Sequence, residues 1–541
     1  MTHQKTEAAI SIRLLTTPAA EMMQILGIAH RRGHPLFMWT FDEAANLSDE
    51  YFAVLRRTML AFASQTIWTL FLSTNSMIGR FIGPVQQDPS SRVRQRLLKR
   101  FRPFYAFPID VEATRCLESL DGYRKRPMIE FTTVNHMSAF GRPLWNAYST
   151  EDPMAVQQFV QPKLLCGSSL AVKGPLTLWT QQVFALISAR VSLHAVKSSV
   201  EAIELDENAV NKHLRVMVGW GEDPRVIHST TISEPLVSDA AATLLMAKPQ
   251  GAFVWRNALE TLGGQLLSRG LISKGTKGEL FARIILILAA DFTREPAMNQ
   301  NQTDAGGSHP VFAFSIPIPV SKFLGTLFGD ERISRLNEPQ PRRRRLREAT
   351  PVQSKYDACE EGFVNFNHFT HTLEPLPMDP TRNQELLYML LRKQEALQLC
   401  TNQEFWDLLI PVYLGSLTQE FDVCQTTAIV IQVKNKINKT NLLPSQKQFD
   451  QFFHSQHPIL HILLDLGVGS DFKSGRLLQG QAFYIIARGN SADTFQFLDR
   501  TGLGSACKLL AEMEAQEAPS VCQQIVDSLM GVKIPTEGDI H

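Results

Sequence analysis

Asp407, Gln432 and Lys434 are the residues of this chain whose types and spacing suit a chemical reaction. Asp407 heads an apolar run that continues to Tyr413, and Gln432-Val433-Lys434 closes a β-branched run that opens at Ala428. Both runs read as strands, and alternation along a strand points Gln432 and Lys434 to one face. With the Asp407 strand alongside, a carboxylate, an amide oxygen and an ammonium converge. The two oxygens are hard ligands of the kind Mg²⁺ takes while keeping several waters. The ammonium can position a water or offset charge developing on phosphorus. Phosphodiester hydrolysis needs that combination. The bland alternative is an edge strand that ends in a solvated Gln and Lys. Asp422 rivals Asp407, but it lies in a hydrophilic stretch between the strands and reads as a surface residue.

On those residues the stretch WDLLIPVYLGSLTQEFDVCQTTAIVIQVKNK resembles the core of a PD-(D/E)xK, or restriction-endonuclease-like, nuclease. It is similar to the variant in which Gln replaces the acidic residue of the third motif, as in Mrr-type enzymes. The resemblance implies that Asp407 binds the metal, that Gln432 completes its coordination and that Lys434 assists the reaction. Mg²⁺ is then the cofactor, and DNA or RNA the substrate. The family adds a Glu on the preceding helix. Glu385 and Glu395 both qualify, and Glu385 is carried forward as the candidate. The Gln at 432 removes one charge from the metal site.

A second constellation lies near the N-terminus. Leu36 to Phe41 is an apolar run ending in Asp42-Glu43, expected to be a strand buried on both faces of a parallel sheet. Tyr51 to Phe62 has helical spacing, and Thr66 to Leu72 is a second apolar strand ending in Ser73-Thr74-Asn75. Strand, helix and strand make a βαβ unit whose polar ends share one edge of the sheet, where such sheets bind ligands. The pattern resembles Walker B and sensor 1 of a P-loop ATPase. That resemblance gives Asp42, Glu43 and Asn75 roles around ATP and Mg²⁺, with Arg142 of Gly141-Arg142-Pro143-Leu144 facing the nucleotide. No GxxxxGK[ST] occurs, and the residues before Leu36 leave little room for a phosphate loop, so ATP binding is doubtful.

The elements between these sites divide the chain. Leu164 to Arg294 is mostly helical in pattern; Ser238 to Met246 follows Ser-Glu-Pro, and Gly278 to Asp291 is apolar enough to be deeply buried. Met298 to Pro310 reads as a long loop. Asn337 to Pro351, with Arg342, Arg343, Arg344, Arg345 and Arg347, is a proline-bounded basic segment that reads as a linker. After it, Thr381 to Cys400 is helical in spacing, and Asp407 to Tyr413, Ala428 to Lys434, His457 to Gly467 and Ala482 to Arg488 are strands. The expected fold is α/β: a partial P-loop-like parallel sheet over 1–160, a helical region over 161–335, the linker over 336–355 and a restriction-endonuclease-like α/β domain over 356–541. HPLFMWTFDEAANLSDEY, LFLSTNSMIGRF, GRPLW, SEPLVSDAAATLLM and KGELFARIILILAADF, with the nuclease-like core, together resemble a group of fungal proteins related to Crinkler-type effectors. Those proteins couple a P-loop ATPase region to a restriction-endonuclease-like domain.

Composition bounds these readings. Lys and Arg number 54 against 53 Asp and Glu, a net charge of +1, so any contact with nucleic acid must be local, through Arg342 to Arg345 and the C-terminal domain. The run from Arg92 to Arg102 reads as a solvated helix face. Seven scattered cysteines exclude a complete disulfide framework, and no basic-then-apolar leader opens the chain. The location expected is therefore intracellular or nuclear, without a membrane span. His368 with His371, and His454 with His457 and His461, lack the further ligands of a zinc site. No GxSxG elbow supports Ser/His/Asp catalysis. The competing class is a catalytically inactive scaffold or regulatory protein.

Overall fold

The computed structural model describes residues 37–42, 44, 47–61, 67–72, 108–118, 126–149, 153–221, 226–273, 278–301, 313–334, 362–401, 403–436, 438–439, 443–454, 457–476 and 482–515. These fall into two compact units. One combines the stretch before Pro108 with Ile203–Thr230, and the other combines Pro108–Ala202 with Thr231 onward.

In the first unit, β1 (Phe37–Phe41) and β2 (Ile67–Phe71) pair in parallel around the helix α1 (Asp49–Ala61). Ser48 starts the helix by accepting the Tyr51 N–H at 3.3 Å. Phe41 and Phe71 are register partners with stacked rings at 5.2 Å, and Phe52 of α1 meets Phe71 edge-on at 5.1 Å. The βαβ reading of the sequence therefore holds. Burial on both faces does not: Met38 is 58% and Leu70 42% exposed, because two strands cannot cover each other's faces. The unit also holds an antiparallel hairpin of β3 (Val216–Trp220) and β4 (Ile227–Thr230), with Arg215, Ser229 and Asp206 buried together beneath it.

The second unit is a nine-stranded mixed sheet between helical layers. Its helices include α2 (Leu176–Val191), α3 (Pro235–Met246) and α4 (Glu279–Asn301). Every residue from Leu280 to Ile287 except Arg283 is apolar and buried, and Leu288, Ala289 and Ala290 continue the run, so this part of α4 is enclosed by protein on all sides. The strands are β5 (Ile318–Pro319), β6 (Phe363–Val364), β7 (His368–His371), β8 (Glu395–Gln398), β9 (Leu408–Tyr413), β10 (Thr426–Lys434), β11 (Leu460–Asp465), β12 (Asp471–Arg476) and β13 (Phe483–Arg488). Their order runs β12-β13-β11-β10-β9-β6-β5, with β8 also on β9 and β7 on β8.

Three further helices of this unit matter for the site: α5 (Pro380–Lys393), α6 (Gln446–Asp450) and α7 (Gly504–Ala515). From α5 the chain runs through β8, β9 and β10, each antiparallel to the one before, then α6, then β11 parallel to β10. Leu387 and Leu390 of α5 and Phe449 of α6 share one face of the sheet with Leu397, Leu409 and Val430. Trp406 fills that layer, with ring contacts to Phe449, Phe452 and Phe453 between 5.2 and 5.8 Å. On the opposite face Phe472 of β12 meets Phe328 at 5.4 Å, and Phe366 meets Phe323 at 5.7 Å.

This arrangement corrects the expected division at 160 and at the basic segment. β5, which precedes that segment, pairs with β6, which follows it, and Val320 N–H reaches Gly362 O at 2.8 Å. A chain of buried polar groups completes the seam. Arg190 of α2 donates to Asp291 of α4 at 2.7 Å and to the Asn367 carbonyl at 2.7 Å. The Asn367 amide donates to Pro235 O at 3.1 Å and to Gln394 Oε1 at 3.0 Å. With its nitrogen so engaged, Asn367 offers Oδ1 to His368 Nδ1 at 2.6 Å, which makes Nδ1 the donor and leaves Nε2 to accept from Ser233 Oγ at 2.8 Å. Ser233, His368 and Asn367 thus line up as a catalytic trio would. Burial nevertheless pushes His368 down to about 3, with Arg190 adding to the effect, and both His368 and Ser233 are buried, so the imidazole is held neutral inside the protein. The trio is a structural tie. Among the described residues no helix is long and apolar enough to cross a membrane.

Arg190 and Asp291 are both fully enclosed. Asp291→Ala strands a buried guanidinium and is expected to cost about 3–5 kcal/mol in urea unfolding, whereas the double replacement Arg190→Met with Asp291→Leu should cost markedly less.

Candidate functional site

The hairpin of β9 and β10 positions the site. Ile431 pairs with Leu408 at the end of the ladder, and one step further the Asp407 N–H donates to Ile431 O at 2.8 Å. Asp407 therefore sits level with Gln432. Its Oδ2 accepts the Val433 N–H at 2.7 Å, so the carboxylate is tied to the backbone between Gln432 and Lys434. Ala428 and Val430 lie in the apolar layer with Leu409, two residues beyond Asp407. Alternation then assigns Asp407, Gln432 and Lys434 to that same face of the sheet, as the sequence reading expected. Asp407 is buried, while Gln432 and Lys434 are half-buried. Gln432 Oε1 is enclosed and has no hydrogen-bond partner among the described residues.

The neighbouring strands extend the polar edge. Lys434 is in register with Asp465 of β11, Asp465 with Arg488 of β13, and Arg488 with Asp471 of β12. Arg488 Nη1 donates to Asp471 at 2.8 Å, and its Nε lies 3.5 Å from Asp465 Oδ2. Four adjacent strands thus carry Lys, Asp, Arg and Asp in alternating charge, the middle two buried. The turn after β11 comes in close here. A Cβ on Gly467 would stand 2.5 Å from the Lys436 carbonyl oxygen, so only glycine fits. Asp465 and Arg488 were not singled out in the sequence, although each ends a recognisable apolar strand in a charge at the carboxyl edge. His461, four residues before Asp465 on the same face, is buried, and neither ring nitrogen has a hydrogen-bond partner among the described residues.

Several expected site residues are placed elsewhere. Glu385 is exposed on α5, and its neighbour Gln384 lines a small pocket with Thr426 and Thr427. Those threonines open β10, six residues before Gln432, which is about 20 Å at strand rise. Glu395 is not helical. Gln394, at φ 53°, ends α5, and Glu395 begins β8, accepting a short hydrogen bond from Thr370 Oγ1. The β8–β9 register continues to put it level with Pro411, about 13 Å along the strand from Asp407. Neither glutamate joins Asp407. Among the described residues no three His, Cys, Asp or Glu side chains form a group able to hold a metal ion. Asp422 is exposed and caps the turn at Cys424, as its loop position predicted.

Arg142 is also corrected. Its guanidinium pairs closely with Glu234, its backbone N–H donates to Glu234 Oε1 at 3.0 Å, and Trp145 Nε1 donates to the same oxygen at 2.7 Å. Gly141, at φ +82°, allows this grip, because a Cβ there would stand 2.2 Å from Glu234 Cγ. The GRPLW and SEPLVSDAAATLLM blocks are therefore two halves of one packing contact. Asp42 is exposed at the end of β1. Glu43, Asn75, Arg92 to Arg102 and Arg342 to Arg345 lie outside the described residues.

Comparison with protein families, with curated proteins and with solved structures returns no match for this chain.

Burial pushes His461 down to about 4. An unfolded chain takes up that proton near 6.5, so the folded protein loses stability as pH falls from 6.5 toward 4. His461→Phe is expected to remove about 2 kcal/mol of the difference between neutral pH and pH 5, measured by urea unfolding at both.

Proposed function

We infer that the Asp407–Gln432–Lys434 end of the sheet is a Mg²⁺-dependent phosphodiesterase site acting on nucleic acid. It belongs to a restriction-endonuclease-like core joined to a degenerate ATPase-like module, as in the fungal proteins this sequence resembles. The observation that carries the reading is the seating of Asp407. Its carboxylate is bound to the Val433 N–H, so an acid, an amide and an ammonium share one face at one end of a hairpin. The order of α5, three antiparallel strands, α6 and a strand parallel to β10 is the order expected of such a core. Asp407 and Gln432 fit a metal in part, since Gln432 Oε1 is an enclosed acceptor with no partner among the described residues. When bound, the ion supplies charge neutralisation at the phosphate. Asp407 is fixed in place by Val433, and Lys434 offers its ammonium to the phosphoryl oxygens as negative charge builds on them. Nucleic-acid backbone is the partner, with Arg342 to Arg345 as further contacts.

The competing reading, a non-catalytic scaffold, draws on the single carboxylate among these three residues and on the displaced glutamates. One assay separates the two. The full chain is incubated with labelled single- and double-stranded DNA and RNA in Mg²⁺ or Mn²⁺. Cleavage by the wild type, lowered on the order of 100-fold by Asp407→Ala and by Lys434→Ala, is the expected result. No cleavage leaves the scaffold, and cleavage by Lys434→Ala equal to that of the wild type rules out the site proposed at Lys434. Gln432→Glu restores a second carboxylate and is expected to tighten Mg²⁺ binding, read by titration calorimetry.

A further inference from the structure

We propose that Asp465 is a positioning residue for Lys434, held in place by Arg488 and Asp471 across the neighbouring strands. The inference rests on the nuclease reading for its functional consequence, and on strand register for its geometry. Lys434 and Asp465 are register partners in the parallel pair of β10 and β11, where adjacent strands lie about 4.8 Å apart and register partners face the same side. The Leu466 N–H donates to Lys434 O at 2.7 Å, so the two strand ends are locked at this level. Gly467 then lets the turn close onto the Lys436 backbone, which fixes where Asp465 stands.

A long lysine side chain has three rotatable donors and no preferred direction of its own. A carboxylate at its side restricts it. Asp465 is itself fully enclosed and meets Arg488, which is fixed in turn by a 2.8 Å hydrogen bond to Asp471 at the rim. Buried charges persist where each has an opposite neighbour, and here the alternation Lys, Asp, Arg, Asp supplies one at every step. β9, headed by Asp407, flanks β10 on the side away from β11, so Lys434 lies on the strand between the one that carries Asp465 and the end of the hairpin where phosphate is expected. This arrangement supplies what the displaced Glu385 and Glu395 do not: a second carboxylate at the site, assigned to the lysine instead of to a metal.

Two measurements test it on the full chain. In the first, thermal unfolding is compared for wild type, Lys434→Met, Asp465→Asn and the double variant. Coupled effects are expected, the double variant losing clearly less than the sum of the singles. Additive effects overturn the inference whether or not the chain cleaves nucleic acid. If Asp465→Asn does not fold, Asp471→Asn takes its place. With Asp471 neutral, Arg488 is left to Asp465 alone, and the loss caused by Lys434→Met should shrink; an unchanged loss counts against the proposal. The second measurement is cleavage. Asp465→Asn is expected to lower kcat at least 10-fold with KM unchanged, and Asp465→Glu to recover part of it. A wild type without cleavage ends the nuclease reading alone, whereas a wild type that cleaves while Asp465→Asn keeps full kcat ends the inference alone.

Discussion

The buried guanidinium of Arg190 is the constraint on which the larger unit depends. Enclosing a charge is tolerable only when its partners are fixed, and this one draws partners from α4 and from the chain between β6 and β7. Around it, Asp239 hydrogen-bonds Ser315 at 2.8 Å and is pushed up to about 7 by burial, while burial lowers Arg294 to about 10. Such a cluster specifies one docking of helices on the sheet, because any slip would leave an ionised or polar group without its neighbour. Apolar packing alone, as along α4, would accept several. Position of the sheet, and so of the hairpin bearing Asp407 and Lys434, follows from that docking.

Much of the fold was legible in the sequence because period and hydrophobicity carried it. The β-branched run before Gln432 and the continuous apolar stretch of α4 are elements whose local pattern and tertiary burial agree, whereas the apolar runs at Phe37 and Ile67 form the expected strands but leave Met38 and Leu70 exposed. The strand at Glu395 was missed for a physical reason. The helical spacing of Leu386, Leu387, Leu390 and Leu391 continues into Ala396 and Leu397, and only the left-handed turn at Gln394 breaks it. Gln adopts that conformation without advertising it, as a glycine would have done.

The site was half legible. Alternation along β10 suffices to place Gln432 beside Lys434 on one face, and the apolar runs imply that Asp407 heads a neighbouring strand. Asp465 and Arg488 depend instead on which strands lie side by side, and the order β10-β11-β13-β12 is a property of the whole sheet. Likewise Arg142 has the look of a ligand-facing group until Glu234, 92 residues away, is seen to occupy it. Long-range pairings of charge leave no periodic trace.

The pairing of β5 with β6 gives the basic segment between them an unusual status. It joins two pieces that are already stitched through the ladder, through Val320 and Gly362, and through Arg190 and Asn367. The two flanking pieces are therefore held together by backbone ladder and buried side-chain bonds as well as by the chain that links them.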